Sequence, residues 1–207
     1  MMVTVMKIQG LKLAVGLRRS WLRLASDTRG LAAVEFALIV PLMLVMFFGT
    51  IEISSGVAVD RKVSMVAQTM SDLTSRYTSV TDTDMTNFQA IGDAMMTPYS
   101  ATPLKATITQ IYIDPSTGVA RAQWSKGDSP RGLGSTVSVP AALIGKDSSN
   151  KILSNQYLIF SEVSYLYVPA VGYVMGKAGV TLSDQTYTRP RQSTCVFYGT
   201  ATACTTN

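Results

Sequence analysis

The stretch Leu31–Ile51, LAAVEFALIVPLMLVMFFGTI, is 21 residues long and carries one formal charge, Glu35. Coiled as a helix at about 1.5 Å per residue, it would be about 31 Å long, the thickness of a bilayer's hydrocarbon core. Arg29 precedes it, and Glu52, Ser54 and Ser55 follow it. Two residues do not belong in a plain anchor. Pro41 lies mid-span, where it removes one helical hydrogen bond and crowds the preceding turn, so a kink or local unwinding is expected there. Glu35 lies four residues inside the edge, where a carboxylate in lipid costs on the order of 2–4 kcal/mol on insertion scales. It either snorkels to the interface without a role or is a paired, functional intramembrane acid; its position alone leaves both readings open.

The charge around this run is asymmetric. The chain has 207 residues, a net charge of +5, 47% apolar residues and only 15% charged residues. Lys7, Lys12, Arg18, Arg19, Arg23 and Arg29 stand before Gly30 against one acid, Asp27. The remaining basic and acidic residues cancel. A uniformly basic nucleic-acid binder would spread its charge differently, and no nucleic-acid partner is expected; the alternative for such a block is a basic tail on RNA or acidic lipid. A basic segment directly before an apolar run places that side in the cytoplasm and the chain from Glu52 onward outside it. A conventional signal peptide fits poorly. Its apolar core is about 7–15 residues, and Gly56-Val57-Ala58 is a weak cleavage site.

Histidine is absent, which excludes Ser-His-Asp triads, Cys-His nucleophiles and HExxH zinc sites. Two cysteines, Cys195 and Cys204, cannot build a four-cysteine zinc site. If the head lies outside the cytoplasm, a disulfide between them is permitted; two free thiols or a poor metal site are the alternatives. Ser148 and Lys151 have the spacing of an S-x-x-K motif, the basis of a membrane-anchored Ser-Lys hydrolase reading. They lie in a polar Lys-Asp-Ser-Ser-Asn-Lys stretch that reads more simply as a solvated loop. No phosphate-binding loop, metal cluster or catalytic carboxylate pair is found. The sequence therefore points to no catalytic residue, no cofactor, no metal and no small-molecule substrate.

The junction reads Arg29-Gly30-Leu31-Ala32-Ala33-Val34-Glu35-Phe36. Glycine, four small or apolar residues, glutamate and an aromatic resemble the cleavage site of type IV prepilins, in the G-x4-E-[YF] form of Tad (tight-adherence) pilus systems. The wider string RGLAAVEFALIVPLMLVMFFGTIEIS is similar to the N-terminal segment of TadE-like and TadG-like pilus-assembly proteins. Ser161–Met175 and Thr186–Ser193 also look like that family's C-terminal half. The resemblance implies a cut by a prepilin peptidase between Gly30 and Leu31, with Phe36 as the motif aromatic. Glycine before the bond fits a tight protease cleft. The ammonium freed on Leu31 would then pair with Glu35 of a neighbouring subunit, offsetting the burial cost and setting axial register. Some members of the family are not cleaved and remain as anchored proteins.

Beyond the run, Val63, Val66, Ala67, Met70, Leu73 and Tyr77 recur at helical spacing, with Asp60, Arg61, Lys62, Gln68, Ser71, Asp72 and Arg76 on the other face. One long helix over Leu31–Tyr77 is expected, its amphipathic part packed on its own head or on neighbouring subunits. Thr81–Asp84 offers N-cap residues for a short helix carrying Phe88, Ile91, Met95 and Met96, ended by Pro98. Ala106–Ile113 and Val119–Trp124 flank the turn Asp114–Gly118 as a hairpin, with Ala120, Ala122 and Trp124 on one face. Lys126–Ser135 reads as a loop, Tyr157–Val168 as a strand, and Ala178–Leu182 and Thr186–Arg189 as one or two more.

The expected fold class is α+β, a long N-terminal helix with a small antiparallel-sheet head. Residues 1–30 form a basic cytoplasmic leader, 31–51 a transmembrane helix, 52–78 its amphipathic extension and 79–207 an extracytoplasmic head. The expected function is that of a minor pilin-like (pseudopilin) component of a Tad-type pilus assembly machine, without enzymatic activity. The expected partners are the inner membrane, other pilus subunits and the processing peptidase. An uncleaved bitopic scaffold of the same machine is the alternative.

Overall fold

The computed structural model describes residues 30–169 and 179–204. The basic segment 1–29 and the last six residues of the expected family-like string Ser161–Met175, 170–175, lie outside the described residues. Contacts divide the chain into two compact units, ending and beginning at Ile51 and Glu52.

The first element, α1 (Leu31–Ser75), is a 45-residue helix that belongs to both units. It contains Pro41 without a break in its helical backbone. In the first unit no residue of the helix is buried. In the second, Val59, Val63, Val66, Ala67, Met70, Ser71 and Thr74 form a buried stripe at the spacing of one helix face. Each fully buried Val or Met contributes roughly 1.5–3 kcal/mol, enough to hold this half of the helix on the head. α1 ends at Ser75, two residues before the expected Tyr77, whose ring instead packs edge-on against Phe88 at 5.4 Å.

Ser71 does not lie on the polar face. It is fully buried, and its hydroxyl donates to Thr188 Oγ1 at 2.8 Å and to the Ile159 carbonyl at 3.3 Å. A short hydroxyl is small enough to sit under a strand, provided its hydrogen bonds are met.

A two-residue strand β1 (Ser79–Val80) leads into α2 (Asp82–Met95). Thr81 caps α2 in a capping box with Asp84, each residue satisfying an amide of the other. The sheet follows: β2 (Leu104–Ile113), β3 (Ala120–Gly127), β4 (Thr136–Val137), β5 (Gln156–Tyr167) and β6 (Val180–Thr188). Its order is β4-β3-β2-β5-β6, antiparallel throughout. The last strand, β7 (Phe197–Tyr198), pairs in parallel with β1. The fold is thus α+β, a long N-terminal apolar helix followed by an antiparallel sheet.

Two clusters fill the sheet's faces. The α1 side gathers Leu104, Ala106, Ile108, Ile159, Val163, Tyr165 and Trp124 around the helix stripe and Phe88. The opposite side gathers Ile111, Ile113, Ala120, Ala122, Leu158 and Phe160. Trp124 therefore does not share a face with Ala120 and Ala122 as expected. The register shifts at Gln110/Ile111, so that Trp124 pairs with Gln110 and Ala122 with Ile111. Gln123 is the extra residue of a β-bulge, and the alternation reverses across it.

Other boundaries also moved. β3 runs on to Gly127, into the expected loop, and β4 lies just after that loop. The two late segments are one strand, β6, although Ala178 lies outside the described residues.

Candidate functional site

The candidate site is the start of α1. Leu31 is its first residue, with Gly30 just before it. Leu31, Glu35 and Phe36 are all exposed, Phe36 to 69%. Among the described residues, a Cβ built on Gly30 would meet nothing within 4 Å, so their packing does not require glycine there. Leu38, Ile39, Leu42, Met43, Val45, Met46 and Phe47 are exposed too, Val45 to 70%. Such a run cannot be left in water, where each side chain forfeits the transfer free energy that burial supplies. The one polar side chain near its end, Thr50, returns its hydroxyl to the Met46 carbonyl at 2.8 Å. That bond keeps the segment internally satisfied, as hydrocarbon demands.

In the second unit, the C-terminal tail converges on the α2 N-terminus and the bulged hairpin. Trp124 Nε1 donates to the Val196 carbonyl at 2.8 Å, and the Val196 amide donates to Gln110 Oε1 at 2.6 Å. Tyr198 donates to Asp82, while Lys126 approaches Asp82 at 3.2 Å and lies 4.8 Å over the Tyr198 ring. The hydrogen bonds from Tyr198 and Lys126 lower the Asp82 pKa below its usual value. Cys195 and Cys204 are joined by a disulfide with Cα atoms 5.9 Å apart, closing the tail just beyond β7. Farther back, Arg191 reaches Asp72 at 2.6 Å and donates its amide to the Ser75 carbonyl, fastening the tail to the end of α1.

On the sheet face away from α1 is a polar groove of about 580 Å³. Arg131 makes a two-pronged ion pair with Glu162 there, at 2.7 and 2.6 Å. This pairing raises the Arg131 pKa. The charged Lys105 and Asp184 line it too, with Thr107, Ser129, Ser164 and Ser183 among its other walls. The two-pronged Arg131–Glu162 pair has the geometry of a structural clasp. Ser148 and Lys151 lie elsewhere, both exposed, in a turn where Asp147 accepts the amides of Ser149 and Lys151. Among the described residues no group of three or more acidic or sulfur ligands is placed to hold a metal.

The sequence singled out Gly30, Leu31, Glu35, Phe36 and Pro41, and the structure places all five along one exposed stretch of helix and its entry. It did not single out Trp124, Gln110 and Val196. The bulge that aims Trp124 at the tail has no period of its own.

One helix among the described residues is long and apolar enough to cross a membrane, and an α+β head follows it. This is the architecture of a protein with a single candidate membrane anchor. Residues 30–70 match the family model described as TadE-like protein, so the chain carries a TadE-like segment across Gly30 and most of α1. The match covers 41 of the chain's 207 residues and likens that segment, not the head, to TadE-like proteins. No curated protein and no solved structure matches the chain.

Proposed function

We propose that this protein is a minor pilin-like subunit for assembly of a Tad-type pilus, held in the inner membrane by α1 with its head in the periplasm. The observation that carries the reading is the exposed apolar run of α1 beginning directly at the G-x4-E-aromatic junction. The described chain offers that run no partner of its own, so lipid covers it first and the helices of other subunits cover it in the fibre. Residues 1–30 are the leader, cut between Gly30 and Leu31 by the prepilin peptidase. The absence of described neighbours around a Cβ at Gly30 supports this, since nothing in their packing calls for glycine there. After the cut, the Leu31 ammonium of one subunit pairs with Glu35 of its neighbour. Pro41 bends the helix as it packs. The head performs no chemistry; its clasps keep a rigid surface beyond the membrane.

The test is the N-terminus of the mature protein, purified from membranes of a host with its pilus machinery and read by mass spectrometry. A start at Leu31 is expected. A start at Met1, Met2 or Met6 would make the protein an uncleaved scaffold of the same machine. A start near Val59 would mean ordinary secretion and would overturn the roles given to Gly30 and Glu35. With processing established, Glu35→Gln should still insert and be cut but fail to assemble; normal assembly would refute the register role.

A further inference from the structure

The two edges of the sheet differ. On one side β4 is two residues long, and the loop before it occupies β3: the Ala122 amide donates to the Ser135 carbonyl at 2.9 Å, and the Ala122 carbonyl accepts from the Gly134 amide at 2.8 Å. On the other side β6 runs for nine residues, in unshifted register with β5. Natural sheets blunt a long edge with proline, lysine or a bulge. β6 has none of the three, and its one charge is Asp184.

One bond sets which groups face outward. In an antiparallel ladder alternate residues bond the neighbouring strand, and those between them turn N–H and C=O away from it. The Gln185 amide donates to Asp184 Oδ1 at 2.8 Å, so Gln185 belongs to the outward set, with Thr181 and Ser183. All three are exposed, and among the described residues none bonds the outward groups of Thr181 or Ser183. Residues 170–178, which join β5 to β6 and include Lys177, lie outside the described residues.

An open ladder edge recognises extended backbone, and side chains choose among the strands that could add to it. Here the choice falls to Asp184. Among the described residues no base pairs with it. Arg131 is taken by Glu162, and Lys105 stands two strands further in, about 10 Å away by strand spacing. A strand entering here displaces the carboxylate from the Gln185 amide and leaves it beside the newcomer. A cation on that strand offsets the loss, and an acid deepens it. A second β6 is a poor match, since VTLSDQTYT carries an acid and no base.

We propose that the β6 edge is a docking site for an extended segment of another protein, one that adds beside β6 and sets a lysine or arginine opposite Asp184. Until then the Asp184 carboxylate satisfies the Gln185 amide and blunts the edge. The site goes beyond the pilin-like reading and needs none of it, because every group belongs to the head.

The experiment uses the full chain in detergent, with amide exchange read residue by residue by NMR. In the free chain the Thr181 and Ser183 amides should exchange several-fold faster than those of Leu182 and Asp184, which bond to β5. Slow exchange at Thr181 and Ser183 would mean that the chain itself or a second copy already covers the edge, and would overturn the proposal. The probe is a water-soluble peptide of β6's length, with valines on one face, threonines on the other and a central valine replaced by lysine. Its twin has glutamate at that place. The lysine peptide should slow exchange at Thr181 and Ser183 several-fold and bind several-fold more tightly than its twin, a difference that Asp184→Asn should abolish. Ser183→Pro removes an outward N–H and spares the pairing with β5, so it should abolish protection at Thr181 while the head melts near the parent's temperature. A head that Ser183→Pro unfolds would show that the outward set is wrongly assigned. No protection by the lysine peptide, or equal binding of the two peptides, would refute the site as well.

Discussion

Gly127 closes β3 at φ +132°, and a Cβ there would strike the Ala106 carbonyl oxygen and come within 2.7 Å of Thr107 Cα. Both obstacles are backbone of the paired strand, so no side-chain rotation relieves them. Gly127→Ala should destabilise the head by about 3 kcal/mol, adding a disfavoured backbone conformation to a steric clash. Calorimetry on the full chain in detergent should show a loss of roughly 6–12 °C in Tm. Trp124 makes a different demand. Its indole N–H is the donor given to the buried Val196 carbonyl. Trp124→Phe retains most of the ring but orphans that carbonyl, at a cost of about 1–3 kcal/mol. If denaturant melts of Trp124→Phe and the parent chain coincide, the tail is not held in this way. The reach of Trp124 was not legible in the sequence. Strict alternation puts it beside Ala120 and Ala122, and only the extra residue Gln123 turns it over.

At the scale of elements, legibility followed the length of the pattern. The 21-residue run and the helical stripe from Val63 to Met70 announce α1 because apolar spacing persists over many turns. Ser71 escaped because a hydroxyl counts as polar in any pattern, yet it is buried wherever a strand carbonyl and a threonine receive it. Ala178–Leu182 and Thr186–Arg189 left open whether one strand or two stood there; pairing with β5 over nine positions makes β6 a single strand through Ser183 and Asp184. β7 is two residues long and has no period to read. The junction was legible as a motif, but the cleavage and pairing proposed for it would involve a peptidase and neighbouring subunits, which no single chain displays. Where elements begin and turn, carboxylates hold them. Asp114 accepts from Ser116 and Thr117, which lowers its pKa to about 2, and Thr81 holds that of Asp84 below the usual range. A carboxyl whose folded pKa is depressed contributes its stability above its unfolded pKa, near 3.9, and loses it as pH falls through the folded value. Stability should therefore be flat from neutral pH to about 5 and fall between about 4 and 2. Asp114→Asn should flatten part of that fall. An identical acid profile for Asp114→Asn would show that the turn does not carry it. Thr81→Ala, which deletes the cap donor and acceptor together, should cost about 1 kcal/mol at neutral pH.

At the scale of the molecule, the division between Ile51 and Glu52 separates two kinds of stabilisation. The unit from Glu52 onward holds both buried clusters, the whole sheet, the tail clasps and the disulfide. The described part of the other unit, Gly30–Ile51, has no buried residue, and on the proposed function lipid would supply its stabilisation. The two should therefore respond independently. Val45→Arg places a charge in the middle of the apolar run at about 2.5–3.5 kcal/mol on insertion scales, which should move the protein from carbonate-resistant to carbonate-extractable in a membrane fractionation. The head should be unaffected, its melting temperature within a degree or so of the parent's and its disulfide intact. Opening that disulfide should do the reverse. Cys195→Ser with Cys204→Ser removes a short loop closure, costing about 2–3 kcal/mol of head stability, without changing carbonate resistance. If Val45→Arg lowered the head's melting temperature as much as the cysteine pair does, the head would depend on the apolar run, and the boundary after Ile51 would not be a boundary in folding.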